Sequence, residues 1–245
     1  MDKLLTIKEA AELLNVSEMS LRRWTNAGKL KCYRVGKKRE RRFRIADLQS
    51  FLRGGGNERA LLSGLTAPVE AHIAHFYGSE EDCLDRGIAY VKQGLDEGEL
   101  VLVMSPEERR GKLLRGLEEQ GVLVPVLEDQ GILTVFEGME SAEKQASFVD
   151  RMIGRSQPFK GFRLLGDMVW TQERGWDLEE LYRLEKLTNC QRTGVNGMFF
   201  CQYDKGRFSA DAAFMAMQTH NFTLYHDKLN PSPYFDLAHG WTPSG

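Results

Sequence analysis

"RGGGNERALLSGLTAP", residues 53–68, decides how the chain of 245 residues is divided. Three consecutive glycines, a polar patch and a proline fall where the charge changes sign. Residues 1–53 hold 14 Lys+Arg against 6 Asp+Glu, net +8, and the remainder holds 19 against 29, net −10. Gly-rich polar sequence makes a flexible connection. The expected organisation is therefore a head at 1–53, a Gly-rich linker at 54–68, a body at 69–237 and a tail at 238–245. Within the linker, "ERALLSGL" reads as a short helix. A basic unit beside an acidic one predicts a polyanionic partner for the first and a separate task for the second.

Towards the N-terminus, "TIKEAAELLNV" spaces Thr6 and Glu9 as a capping box ahead of an apolar stripe of Ala10, Ala11, Leu13 and Leu14. After a turn at Asn15 and Val16, Ser17 caps a second helix, "EMSLRRWTNA", that stops at Gly28. Two short helices around a tight turn form a helix-turn-helix pattern. "KCYRV" and "RRFRI" then alternate as two strands with "GKKRER" as their turn, and "ADLQSFL" reads as a third helix. The ribbon carries Arg34, Lys37, Lys38, Arg39, Arg41, Arg42 and Arg44, and the second helix carries Arg22 and Arg23. That charge and shape suit the phosphate backbone of double-stranded DNA.

Residues 3–52 resemble the MerR-like winged helix of the excisionase type. The resemblance rests on the core Val16, Ser17, Ser20, Leu21, Arg22, Arg23, Trp24, Gly28, Lys29 and Leu30 and on the "RFRIADL" run after the ribbon. It implies that the second helix enters the major groove and that the wing touches the flanking backbone or minor groove. Trp24 shares a face with Leu21 and is expected in the core. Of Arg22 and Arg23, one is expected on a guanine edge and one on phosphate.

Towards the C-terminus, strand and helix patterns alternate. The strands are "AHIAHFYG", "LVLVMS", "ILTVFEG", "GFRLLGDMVW" and "GMFFCQYD", and each is followed by a helix, the last being "SADAAFMAMQTHNF". Five such rounds predict a three-layer α/β body with a mostly parallel sheet. Ligands on such sheets collect at the carboxyl ends of strands. Yet neither the G-x-x-x-x-G-K-[ST] nor the G-x-G-x-x-G phosphate motif occurs, and "HFYGSEED" places carboxylates after the first strand. G-x-S-x-G and H-E-x-x-H are also missing, so no catalytic residue is assigned. The cysteines Cys32, Cys83, Cys190 and Cys201 form no C-x-x-C pair, and His72 and His75 point to opposite faces of a strand. No metal centre is expected, and the cofactor is unknown.

Tyr77, Asp167, Trp170, Cys201, Tyr203 and Asp204 are expected to converge at one sheet edge, with His72, Arg163 and His220 as further ligand-binding candidates. Other readings stand beside this one. Tyr77 and Trp170 could complete the core, Arg163 and Asp167 could form an ion pair, Cys201 could be an inert filler, and His220 could be a cap or a switch. A resemblance over roughly residues 70–235 is to the MEDS domain, the sensory domain of dichloromethane-dehalogenase regulators and related methanogen and methylotroph proteins. It rests on His72, "FY" at 76–77, "GFRLLGDMVW", "LEKLTN", "CQYD" and "TH" at 219–220. It implies a RecA- or KaiC-like core without a phosphate loop, used as a sensor. Asp167 and Asn221 depart from that pattern, which has Glu and Pro there.

The expected function is a DNA-binding transcription regulator whose body senses a small molecule or protein partner. The alternatives are a DNA-targeted enzyme using Asp167 with His220 or Cys201, and a docking module without a small ligand. No apolar run long enough to span a membrane occurs, so a cytoplasmic location is expected. Any homo-oligomer would form through the body or on DNA repeats, because the glycines replace a long dimerisation helix.

Overall fold

Thr6 starts the first helix by a reciprocal cap. Its hydroxyl accepts from the Glu9 amide at 3.2 Å, and the Glu9 carboxylate accepts from the Thr6 amide at 2.8 Å. The computed structural model describes residues 4–26, 30, 32–36, 40–45, 48, 51, 58–62, 64–192, 194–225 and 227–235. The chain divides into two compact units, Met1–Glu58 and Arg59–Gly245.

In the first unit, β1 (Leu5–Thr6) leads into α1 (Ile7–Leu14), and Asn15 turns the chain with φ 52° before α2 (Glu18–Asn26). The Ser17 hydroxyl accepts from the Ser20 amide at 3.1 Å, the expected cap. Strands β2 (Tyr33–Val35) and β3 (Glu40–Phe43) pair antiparallel, and β1 pairs with β3. A basic ribbon therefore stands where alternation placed it. Its tip residues Lys37, Lys38 and Arg39, together with Lys29, lie outside the described residues, as does most of the expected third helix. Leu5, Ala10, Leu21, Leu30, Phe43 and Leu48 bury together, and Trp24 packs against Phe51 with ring centroids 4.9 Å apart.

The second unit opens on a hairpin, β4 (Glu58–Leu62) and β5 (Leu65–Pro68), where the sequence suggested a helix. Burial of Leu61, Leu62 and Ala67 in the core decides this segment. So does Arg163, whose guanidinium donates to the Ala60 and Leu61 carbonyls, which a helix would use internally. Helix propensity is a weak prior against such tertiary partners.

The main sheet contains β6 (His72–Tyr77), β7 (Leu100–Met104), β8 (Leu133–Phe136), β9 (Phe162–Asp167), β10 (Gly197–Asp204), β11 (Phe222–Tyr225) and β12 (Lys228–Pro231). Their spatial order is β12-β11-β6-β10-β9-β7-β8, parallel throughout except for β12 against β11. Helices α3 (Glu80–Glu97), α4 (Glu107–Glu119) and α5 (Val124–Asp129) pack on one face, around Val101, Val103, Leu165 and Phe200. Helices α6 (Ala142–Arg155), α8 (Leu178–Gln191) and α9 (Ala210–Thr219) cover the other, around Leu102, Leu164 and Phe199. The phrase "GFRLLGDMVW" divides between β9 and a short helix, α7 (Val169–Glu173). The chain leaving β6 crosses towards β7, and the chain leaving β10 crosses the other way to β11. Neighbours β6 and β10 therefore flank a topological switch point, where open α/β sheets bind ligands.

Candidate functional site

The strand residues expected to share one pocket divide between the two faces of the sheet. Tyr203 and Asp204 are adjacent on β10, and adjacent strand residues point to opposite faces. By the same parity Tyr77, Asp167 and Asp204 face α3 and α4, whereas His72, Cys201 and Tyr203 face α8 and α9. The expectation of a single constellation is corrected to two.

At the carboxyl edge, Arg109 of α4 reaches over the switch point. Its Nη1 lies 3.0 Å from Asp167 Oδ2 and its Nη2 lies 3.3 Å from Asp204 Oδ2, and it also donates to the Tyr77 hydroxyl. Burial pushes the Asp167 carboxyl up from its ordinary range, opposed by the guanidinium. Burial, with the neighbouring Asp167 charge, raises the Tyr77 phenol, so it stays a neutral hydrogen-bonding group. The Ser79 hydroxyl caps α3, whose first turn carries Glu80, Glu81 and Asp82. Acidic groups at this end already complement the helix dipole, so a phosphate would meet like charge. Trp170 sits apart from the clasp: it is buried on α7 against Trp176 at 4.8 Å between centroids and lines a cleft with Pro106, Glu107, Glu137 and Glu140.

The second group is sealed beneath the opposite face. His72 Nε2 lies 3.2 Å from Glu185 Oε2 and 3.5 Å from Cys201 Sγ; His220 Nε2 lies 3.7 Å from the same Glu185 oxygen. The two imidazole centroids are 3.8 Å apart, and the Tyr203 hydroxyl donates to Glu185 Oε1 at 2.6 Å. All five side chains are buried. Burial lowers both imidazoles to about 3, so each is neutral. For His72, Arg192 adds to the lowering, and for His220 the neighbouring His72 does. Burial also raises the Glu185 carboxyl and the Cys201 thiol. Imidazole, thiol and carboxyl are all metal-ligand groups, and the four ligand atoms lie within 4.8 Å of one another.

Arg163 belongs to neither group. It lies at the amino end of β9, pairs with Glu99, and ties the hairpin to the sheet. The expected pairing with Asp167 fails because four residues of extended chain separate the two along the strand. Sequence reasoning singled out neither Arg109 nor Glu185. Glu185 was detectable: Leu181, Leu184 and Thr188, its buried neighbours on α8, form an i, i+3, i+7 stripe that includes it. Asn221, where the family pattern has Pro, accepts from the His72 amide at 2.7 Å and so positions that histidine.

Residues 71–221 match the family model described as MEDS, the methanogen/methylotroph, DcmR sensory domain. The chain belongs to the MEDS family. In this MEDS chain, residues 4–56 match a helix-turn-helix domain model. It is 31% identical over 245 residues to the transcriptional repressor DcmR of Methylorubrum extorquens, covering 91% of each chain. Its fold is also similar to a KaiC-like protein of Pyrococcus horikoshii, at 16% identity and TM-score 0.50, over 66% of this chain and 73% of that one. The MEDS chain is thus a DNA-binding regulator with a sensory body.

In its head, Arg22, Arg23, Arg34 and Arg44 are exposed, and so is Ser17. Arg22 pairs with Glu18 at 3.1 Å, and Arg44 lies over the Tyr33 ring at 4.9 Å. Arg42 pairs with Glu40 at 2.8 Å. Arg41 donates to Thr25 Oγ1 at 3.1 Å and Asn26 Oδ1 at 2.5 Å, fastening the ribbon to α2. Arg41 therefore has a structural role in addition to its charge.

Proposed function

We propose that this chain is a sequence-specific repressor. Its head, of MerR-like winged type, grips operator DNA through α2 and the ribbon, and its body changes that grip on binding a small-molecule effector. The observation that carries the reading is the basic ribbon fastened by Arg41 to the helix that bears Arg22 and Arg23, in a chain related over nearly its whole length to a named repressor. Ser17, Ser20, Lys29, Arg34, Lys37, Lys38, Arg39, Arg42 and Arg44 complete the proposed DNA-contacting set.

The effector site best supported lies at the carboxyl edge, where Tyr77, Arg109, Asp167 and Asp204 meet beside the Trp170 cleft. A polar molecule that competes for Arg109 would loosen the clasp. Its preference for the loosened form would shift the population of DNA-binding conformers. The regulator would act in the cytoplasm, occupying operators singly or side by side on repeats.

Footprinting the full chain on the DNA upstream of its own gene, with a reporter driven by that DNA, tests this. Protection of a discrete site with higher reporter output when the gene is deleted supports repression. Uniform protection of all sequences, or falling output on deletion, overturns it.

A further inference from the structure

Four donor atoms, each from a different element, meet under the face covered by α8 and α9. His72 comes from β6, Cys201 from β10, Glu185 from α8, and His220 from the residue that ends α9. The question is what holds together three lone-pair acceptors and a thiol in a dry interior.

The protons can be placed from the surrounding network. His220 Nδ1 is 2.8 Å from the Ala216 carbonyl oxygen, which only accepts, so Nδ1 carries the proton. Asn189 is oriented by two neighbours: its Nδ2 donates to the Thr219 carbonyl at 2.6 Å, and its Oδ1 accepts from Arg192 Nε at 2.9 Å. His72 Nδ1, 3.1 Å from that same Oδ1, must therefore donate to it. Both histidines thus turn a bare Nε2 lone pair inward. Tyr203 occupies Glu185 Oε1, leaving Oε2 to face both imidazoles.

Hydrogen bonding alone does not close this cluster. A protonated Glu185 could donate to His72, and the Cys201 thiol reaches the same His72 nitrogen. His220 Nε2 is still left without a partner, a fully buried polar atom aimed into the cluster. Leaving a buried acceptor without a partner is destabilising, and a cation at the centre would satisfy all four atoms at once.

The spacing fits a metal ion. Zinc binds His nitrogen and carboxylate oxygen at about 2.0–2.2 Å and thiolate at about 2.3 Å, so the edges of its tetrahedron measure roughly 3.3–3.7 Å. Three of the six donor–donor separations are 3.2, 3.5 and 3.7 Å, and all six lie within 4.8 Å, so the longer ones would have to close by about 1 Å around the ion. The outer partners also fit, since metal-bound histidines donate their other N–H to a carbonyl or carboxylate that fixes the ring. Here Ala216 and Asn189 do so, and Tyr203 orients the carboxylate.

We propose that His72, Glu185, Cys201 and His220 form a mononuclear site for a four-coordinate divalent transition metal of the zinc type, with Tyr203, Asn189 and Ala216 positioning the ligands. This departs from the expectation that no metal centre exists, which rested on spacing along the sequence. Four protein donors leave no open coordination position, the arrangement of structural or sensing centres rather than catalytic ones. The Cys201 thiolate would be its redox-sensitive ligand. On binding, Cys201 gives up its proton to solvent as the metal–sulfur bond forms. The site does not depend on the DNA-binding reading, because metal content is measured without DNA.

The test uses the full chain expressed in zinc-supplemented medium and purified without chelator. Elemental analysis should find about one zinc per chain, resistant to chelator until denaturant is added. Exchange for cobalt(II) should give intense visible bands of a tetrahedral ion and a near-ultraviolet sulfur-to-cobalt band. Cys201→Ser should lose the sulfur band while keeping the visible ones, which distinguishes ligand loss from unfolding. Chain that is folded by circular dichroism yet metal-poor, with no cobalt spectrum after refolding with cobalt, overturns the proposal. So does a sulfur-to-cobalt band that survives in Cys201→Ser, or a metal content that stays unchanged in His220→Gln, which would be binding elsewhere.

Discussion

Arg109 Nη1 lies 3.0 Å from Asp167 Oδ2, although the two residues are 58 apart in sequence. Asp167 ends β9 and Arg109 lies in the first turn of α4, so the pair meets at the carboxyl edge of the sheet. Removing the guanidinium would leave a buried carboxylate with only the Val169 amide at 3.3 Å and the Tyr77 hydroxyl at 3.4 Å.

Arg109→Leu is expected to destabilise the chain by about 3–5 kcal/mol, the cost of stranding one member of a buried pair. Asp167→Asn should cost less, because Arg109 keeps Asp204 and the amide still accepts from Val169. Exchanging both for leucine should recover much of the loss. Urea unfolding of the three variants checks this, and equal losses for the two single variants would show that the clasp is not the stabilising contact.

His75 gives a pH dependence with a definite sign. It stacks on Phe200 at 5.6 Å, contacts Gln202 and lies 3.4 Å from Asp82; Arg86 and Lys205 also face it. Burial lowers it to about 4, against the favourable Asp82 charge. Its unfolded value is about 6.5. Between these values the unfolded chain binds the extra proton, so this contribution is present above pH 6.5 and is lost as pH falls towards 4. The full span is worth about 3 kcal/mol. His75→Gln should therefore flatten the urea midpoint between pH 7 and pH 5 relative to the parent; an identical slope would show that His75 does not titrate there.

Much of this fold was legible because α/β layers repeat a simple pattern. Buried runs such as "LVLVM" and capped amphipathic stretches such as "SAEKQASFVDRMIGR" each meet one local rule. The hairpin was not legible, because Leu61 and Leu62 favour a helix locally and Arg163, a hundred residues on, supplies partners for the strand. Strands β11 and β12 are four residues each, too short for alternation to stand out. Most of the site residues could be named singly but not grouped. Parity along "CQYD" assigns Cys201 and Tyr203 to one face and Asp204 to the other, and it went unused. Arg109 carries no mark on a helix rich in charge, since only the tertiary fold brings it over the strand ends.

Salt dependence tests the head. If about six phosphates are neutralised, log affinity of the full chain for duplex DNA should fall against log salt with a slope of about −5. Replacing exposed Arg34 with Ala should lower that slope by about one and weaken all sequences alike. Arg23→Ala should also blur sequence preference, and Arg41→Ala should lower the thermal midpoint of the head because it frees the ribbon from Thr25 and Asn26. Fluorescence anisotropy over a salt series provides the measurement. A slope near zero would remove the ribbon from the interface.

Gly94 and Gly154 should respond to the same substitution with opposite signs. Both lie in helices, where Gly→Ala gains about 1 kcal/mol in the absence of contacts. At Gly154 an added Cβ meets nothing within 4 Å, so Gly154→Ala should stabilise by about that amount. At Gly94 the same atom would stand 2.6 Å from Arg163 Cδ and 2.9 Å from Glu99 Oε2. Neither neighbour can retreat cheaply: Arg163 is 0% exposed and donates to carbonyls of β4 and α3, and Glu99 is paired with both Arg163 and Arg59. Overpacking costs about 1–3 kcal/mol, and displacing a buried ion pair adds to it, so the loss outweighs the helix gain. Gly94→Ala should lower the urea midpoint and raise proteolysis within residues 58–68, where the hairpin depends on Arg163. A midpoint raised as in Gly154→Ala would mean that Arg163 can move aside and that the hairpin is held by its apolar residues alone.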